Sequence, residues 1–263
     1  MLALIAGQGA LPGLVAQSQA HAPLICGYAG LELSTGVPDL TFRLETLGTL
    51  LKTLHDNGVT QVCFAGAIAR PTLDPGALDA ATLPLVPAFQ KALQQGDDGG
   101  LRAVLAIFEQ AGFEVIAAHD LVPDVLPQPG ALGARLPEAR DDADVARGFD
   151  ILAIMGAADV GQGCVVQGRQ AIALEGRFGT DWMLGTLRER PDGITGGVLV
   201  KAAKPGQDRR VDLPAIGLGT VHAAAAAGLN GIAIEAGGVM ILERDAVRAA
   251  CDATGLFLSV HAV

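Results

Sequence analysis

The sequence predicts an α/β protein whose first half is built on a parallel sheet. Short apolar runs alternate there with segments of helical period, and strands separated by helices pair in parallel. Glycine is abundant, 35 of 263 residues, which suits many tight strand–helix turns. Half of the residues are apolar, ample for a packed core. Together these features imply a doubly wound, Rossmann-like sheet.

Residues 2–6 are a short apolar strand, followed by Gly7-Gln8-Gly9 and a helix over about 11–20. Residues 24–27 read as a second strand. A helix over about 44–57 has apolar residues at 44, 47, 50, 51 and 54, and Gly58 stops it. Residues 61–65 form the next strand. Residues 101–110 are helical behind Asp97 and Asp98, natural N-caps, and 113–117 are a strand. From Val122 to Pro137 the chain is rich in Pro and Gly. The expected organisation is therefore a domain over 1–125, a linker over 126–137 and a second α/β domain over 138–263. In the second domain, helices are expected over 141–152, 181–189, 218–227 and 243–254. A hairpin is expected over 164–175 with Gly168-Arg169 in its turn. Strands complete the domain over 197–202, 231–235 and 256–261.

The net charge of −10 argues against general nucleic-acid binding. It is uneven. Residues 1–130 hold five basic and twelve acidic groups, residues 131–263 thirteen and sixteen. Cys26, Cys63, Cys164 and Cys251 are too far apart for a zinc ribbon and read as buried thiols of a reducing compartment. No run of eighteen apolar residues is present, so no membrane-spanning helix is expected, and the first residues read as a strand rather than a signal peptide.

The densest chemistry lies in Lys204–Asp212, where Lys204, Arg209 and Arg210 share nine residues with Asp208 and Asp212. Cations of this kind hold phosphate, and a carboxylate beside them can hold magnesium or activate a water. Val211 and Leu213 suggest strand-like alternation that would direct Asp212. The alternative is a solvated charge run. Elsewhere each motif has a functional and a structural reading. Gly7 and Gly9 open a helix and could cradle a phosphate, or merely make a sharp turn, since Pro12 breaks the dinucleotide fingerprint. Arg70 follows a strand at the edge where such sheets bind ligands, and could also be a surface arginine. Asp98, ahead of Arg102, could meet a metal or cap a helix. Asp159 and Gln162 lie in a glycine-bounded turn. Thr180 and Asp181 start a helix and could simply cap it. Thr220, His222 and Glu235 lie at a helix start and a strand end.

The order of these motifs is more specific than any one of them. G-x-G-x-L-P (7–12), G-x-I-x-R-P (66–71), G-D-D-x-x-L-R (96–102), D-x-G-Q-G (159–163), G-T-D (179–181), K-P-x-Q-D-x-R-x-D-L-P-x-I-G (204–217), T-x-H (220–222) and G-I-x-x-E-A-G (231–237) follow one another along nearly the whole chain. The succession resembles the family of LpxI-type UDP-2,3-diacylglucosamine pyrophosphatases of lipid A biosynthesis. Gln8 and Phe178 depart from it, since Gly is frequent at the first position and an acidic residue at the second.

The resemblance implies a Rossmann-like N-terminal domain, a C-terminal domain of family-specific α/β type and a homodimer. It implies Mg²⁺-dependent hydrolysis of UDP-2,3-diacylglucosamine to UMP and 2,3-diacylglucosamine 1-phosphate, in the cytoplasm or peripheral to the inner membrane. The carboxylate of R-x-D-L-P, Asp212, is implied as essential. It would bind Mg²⁺ or position the water, with Asp159 and Asp181 as further ligands or support. Lys204, Arg209 and Arg210 would neutralise phosphates, and the uridine would lie near Arg70 and Gly7–Gly9. Asp98, Arg102, Gln162, Thr180, Thr220, His222 and Glu235 would contact substrate. No strongly basic amphipathic helix is present, so any membrane contact is expected to be transient. The rival reading is a nucleotide- or lipid-binding protein without catalysis. A nucleotidyl enzyme of another kind would need a Walker loop, which the sequence lacks.

Overall fold

The computed structural model describes residues 1–68, 73–93, 97–191 and 193–263, the side chains of 90–93 and 97–98 excepted. It divides into two compact units. One comprises Met1–Pro123 with Asp208–Asp212, the other Asp124–Gln207 with Leu213–Val263.

The first unit runs β1 (Leu2–Ala6), α1 (Leu11–Ser18), β2 (Leu24–Tyr28), β3 (Leu40–Phe42), α2 (Leu47–Asp56), β4 (Gln61–Ala65), α3 (Val86–Leu93), α4 (Asp97–Gln110), β5 (Glu114–Ile116) and α5 (Ala118–Leu121). All strand pairs are parallel, in the order β3-β2-β1-β4-β5. The central strands are apolar throughout because a doubly wound sheet is covered on both faces. Ala3, Ile5 and Val62 pack with Leu47, Leu54, Leu105 and Phe108 from the covering helices. The strand order reverses between β1 and β4, where ligands of such sheets bind. β3 and α3 are absent from the sequence reading. β3 has three residues, too few to show a period, and Pro84 and Pro87 disguise the start of α3.

At the switch point the turns after β1 and β4 are stitched together. Gly7 N–H donates to Ala65 O (2.8 Å), Gln8 N–H to Ala67 O (2.8 Å) and Ala67 N–H to Gln8 O (2.9 Å). A Cβ at Gly7 would stand 2.6 Å from Ala67 O. One at Gly66, where φ is +86°, would stand 2.6 Å from Gln8 O. Both glycines are thus required by backbone approaching backbone.

The second unit runs β6 (Gly130–Ala131), α6 (Ala139–Ala157), β7 (Gly163–Gln167), β8 (Gln170–Leu174), α7 (Gly179–Thr186), β9 (Val198–Lys201), β10 (Ala215–Ile216), α8 (Leu218–Ala226), β11 (Gly231–Glu235), β12 (Met240–Ile241), α9 (Arg244–Thr254) and β13 (Phe257–His261). Its main sheet is mixed, in the order β6-β13-β11-β9-β7-β8, and β10 pairs with β12 in a separate parallel ribbon. Strands β9, β11 and β13 are parallel; β6, β7 and β8 are attached antiparallel. The expected hairpin is β7–β8, and Gly168 and Arg169 both adopt positive φ in its turn (57° and 65°). α6 begins two residues earlier than expected, because Asp141 accepts the Glu138 N–H (3.0 Å) at its start. The proline-rich stretch expected as a linker includes β6, which pairs with β13, and Arg135, whose Nη1 donates to Gly255 O (2.7 Å).

All four cysteines are buried and none forms a disulfide. Burial pushes the thiols of Cys26, Cys63 and Cys164 up to about 12 and that of Cys251 to about 11, so none is a thiolate at neutral pH. Among the described residues no helix is long and apolar enough to cross a membrane.

Candidate functional site

In the first unit the turns after β1 and β4 lie at the carboxyl edge of the parallel sheet. Gly7 and Gly9 follow β1 there, and α1 starts with Pro12 in its first turn and no side-chain cap. Gly9 has φ +99° with open space where a Cβ would be, and its carbonyl accepts from Ser34 Oγ (2.7 Å). Of the pair, Gly7 has the structural explanation given above, whereas Gly9 leaves room beside an uncapped helix start. Arg70 and the Asp98 side chain lie outside the described residues.

Asp208–Asp212 packs as part of this unit. The segment is a hydrogen-bonded turn rather than the alternating strand expected. Val211 and Asp212 N–H both donate to Asp208 O (3.1 and 3.0 Å). Turn geometry, not a pleat, therefore sets the direction of Asp212. Arg210 grips the Asp208 carboxylate through Nε (2.9 Å) and Nη2 (2.7 Å), and its Nη1 donates to Glu109 Oε1 on α4 (2.5 Å). These bonds hold the Asp208 carboxyl below its ordinary range and the guanidinium above its own. Val211 packs on the apolar core of the unit. Arg102, exposed on α4, adds positive potential at Asp208. The exposed Arg209 lies close enough to His119 on α5 to act on its charge. Burial lowers the His119 pKa, Asp120 opposes, and Arg209 lowers it further. The structure thus brings Arg102, Asp208, Arg209, Arg210 and Asp212 together, with Arg210 committed to two carboxylates.

In the second unit a different set collects around the carboxyl end of β9. Lys201, its last residue, is buried, and its Nζ donates to Thr180 Oγ1 (2.8 Å) and Ala215 O (3.2 Å). Thr180 Oγ1 donates in turn to Glu175 Oε2 (2.8 Å), also buried. Gly163 leaves the space that the Glu175 carboxylate fills, and Gly161 that of the Glu175 backbone carbonyl. Desolvation lowers the Lys201 pKa, and Glu175 and Asp181 act against it. Thr180 therefore links a buried cation to a buried carboxylate while starting α7. The exposed Asp181 contributes charge.

Next to β9, Lys204 Nζ donates to Asp159 Oδ1 (2.7 Å), and Asp159 holds the left-handed conformation at φ 51°. Lys204 N–H donates to Gln207 Oε1 (3.0 Å), and Gln207 Nε2 to Gln162 Oε1 (3.1 Å). Glu235 Oε2, at the end of β11, accepts the Ala203 N–H (2.8 Å). Thr220 Oγ1 accepts the Gly217 N–H at the start of α8 (3.4 Å), and His222 is exposed on that helix. Asp159, Gln162, Thr180, Lys204 and Glu235 thus all surround one strand end. Lys201 and Gln207 are absent from the site residues picked out by the sequence reading. The available signal was a lysine ending the apolar run Val198–Val200, an expensive place for a charge.

The described residues contain no group of three or more His, Cys, Asp and Glu side chains placed to hold a metal. Mg²⁺ beside phosphates usually takes one or two carboxylates, several waters and substrate oxygens, and so does not require such a group.

Two comparisons bear on what such a chain is. Residues 1–125 match the model of the LpxI N-terminal domain, and residues 128–259 match that of the LpxI C-terminal domain. The chain is 39% identical, over 98% of its own length and 96% of the relative's, to UDP-2,3-diacylglucosamine pyrophosphatase LpxI of Caulobacter vibrioides. The two matches follow in order and together span nearly the whole chain, and the chain belongs to the LpxI family.

Proposed function

We propose that this protein hydrolyses the pyrophosphate of UDP-2,3-diacylglucosamine, with Mg²⁺, to UMP and 2,3-diacylglucosamine 1-phosphate in lipid A biosynthesis. The observation that carries the reading is the 39% identity, over nearly all of both chains, to a relative named for that pyrophosphatase activity. Hydrolysis of a pyrophosphate needs charge neutralisation, an oriented water and a stabilised leaving group. Asp212 is the carboxylate proposed to hold the metal or orient the water. Asp159 is the second candidate, and it would exchange its lysine partner for the ion. Bound Mg²⁺ would draw charge from the phosphate oxygens. Lys204 and Arg209 are proposed to meet phosphate oxygens, and Asp181 to support the water. Arg210, gripped by Asp208 and Glu109, would act mainly by holding the turn that presents Asp212. Gly7, Gly9, Arg70, Asp98, Arg102, Gln162, Thr180, Thr220, His222 and Glu235 remain the proposed substrate contacts. The protein is proposed to work as a homodimer on the cytoplasmic side of the inner membrane.

The test is incubation with UDP-2,3-diacylglucosamine in ¹⁸O-water, with Mg²⁺ or with chelator, read by mass spectrometry. UMP and the sugar phosphate, formed only with metal, are expected, and the labelled product identifies the attacked phosphorus. Asp212→Asn is expected to lose roughly 10²–10³-fold or more in turnover, the scale of losing one electrostatic group at a reacting centre. Its melting temperature, read alongside, separates loss of chemistry from loss of fold. Intact substrate under every condition would replace hydrolysis with a binding role.

A further inference from the structure

α7 buries one face and leaves the other uncovered. Thr180, Met183 and Leu184 point inward, continued by Leu187 in the 3-10 turn that follows. On the opposite side Phe178 and Trp182 are 69% and 59% exposed, far above what aromatic side chains of a closed surface show. They stand one turn apart, with ring centroids 5.2 Å apart and planes tilted by 49°. Leu174, at the end of the edge strand β8, is also half exposed. Arg177 and Arg188 flank the pair, with Asp181 and Glu189 beside them, all exposed. Trp, Phe and Leu among charged groups are the composition of surfaces that settle into the headgroup boundary of a bilayer.

The place of the pair in the chain favours that occupant. Phe178 immediately precedes Gly179-Thr180-Asp181, and Thr180 is tied to Lys201 and Glu175 in the second unit's polar cluster. A diacylated sugar nucleotide reaches a water-filled site from a lipid surface, because two acyl chains hold it there. We propose that the Phe178–Trp182 face of α7 is the lipid-docking surface of this protein, seating the start of α7 at the bilayer from which substrate is drawn. The proposal rests on the lipid-substrate reading above, yet its test needs no turnover. A wedge of two rings settles shallowly and reversibly.

Trp182 is the sole tryptophan of the chain, so its fluorescence reports this face alone. With vesicles of phosphatidylethanolamine and phosphatidylglycerol, its emission is expected to shift to the blue and to be quenched by acyl-brominated lipid. The shift should persist in high salt, which screens charge but not apolar burial. Phe178→Ser/Trp182→Ser is expected to sediment with vesicles about tenfold less than the parent, two interfacial rings contributing on that order. Both side chains point outward, so folding should be kept, as circular dichroism would verify. Phe178→Glu alone, retaining Trp182, gives a second reading of the shift. Hydrolysis of a short-acyl, water-soluble substrate should be unchanged in all variants. No shift with vesicles, or undiminished sedimentation of the double variant, overturns the proposal. So does an emission already blue, dependent on protein concentration and indifferent to vesicles, which would assign the face to a second copy of the chain. A protein that binds vesicles through Trp182 but leaves substrate intact would keep this surface and retire the hydrolase reading.

Discussion

Lys201 is a cation placed inside the second unit and compensated by a chain of two hydrogen bonds. A buried charge is tolerated only when paired and bonded, and Thr180, Ala215 and Glu175 supply that pairing. Removing one end leaves the other uncompensated. Lys201→Met is therefore expected to cost about 3–5 kcal/mol in urea unfolding, and Lys201→Met/Glu175→Gln to recover a large part of it. The pH dependence has a definite sign. Burial lowers the Lys201 pKa below its ordinary 10.5. Between the folded value and 10.5 the unfolded chain binds more protons, so stability rises with pH across that window and falls as pH descends through it. The Lys201→Met protein should lack this rise.

The turns after β1 and β4 show what an element boundary can demand. Gly66 combines φ +86° with a neighbouring carbonyl 2.6 Å from any Cβ, whereas Gly9 has φ +99° and open space. Gly66→Ala bears both strain and overlap, and a loss of roughly 2–4 kcal/mol is expected. Gly9→Ala bears strain alone and should lose about 1–3 kcal/mol, less than Gly66→Ala in the same unfolding experiment. Equal losses would show that the stitched turns relax freely. The elements themselves were largely legible. β1, β2, β4, β5, the β7–β8 hairpin and α2, α4, α6, α8 and α9 stand within a few residues of their expected places, because each carries a full period and a stop signal. β3, β6, β10 and β12 were not, because strands of two or three residues have no period to read. They exist because a neighbouring strand offers them hydrogen bonds.

At the scale of the whole molecule, the notable assignment is that of Asp208–Asp212. Five residues flanked on both sides by the second unit belong to the first, held by Val211 in its core and by Arg210 on Glu109 and Asp208. Arg210→Met is expected to lower the melting temperature by roughly 2–4 °C, about 1 kcal/mol for a chain of this size. The Asp208 part of that difference is present above pH 3.8, the ordinary value. It is lost as pH falls through the lower folded pKa, since the protonated acid no longer needs its cation. A difference between parent and variant that did not shrink in acid would show that packing, not the ion pair, holds the turn.

The sequence by itself determined the α/β class, the parallel Rossmann-like sheet of the first unit, the density of cations and carboxylates in 204–212, and the order of motifs that marks the family. These are properties of composition, period and succession, which local chain physics writes directly into residue order. Only the tertiary structure decided which charges are spoken for. Arg210 turns inward to Asp208 and Glu109, Lys204 rests on Asp159, and Lys201, which reads as the end of an ordinary strand, carries the buried charge that organises Thr180 and Glu175. The partner of a side chain distant in sequence depends on the path of the whole backbone, and desolvation depends on everything packed around it. Neither quantity has a local signature.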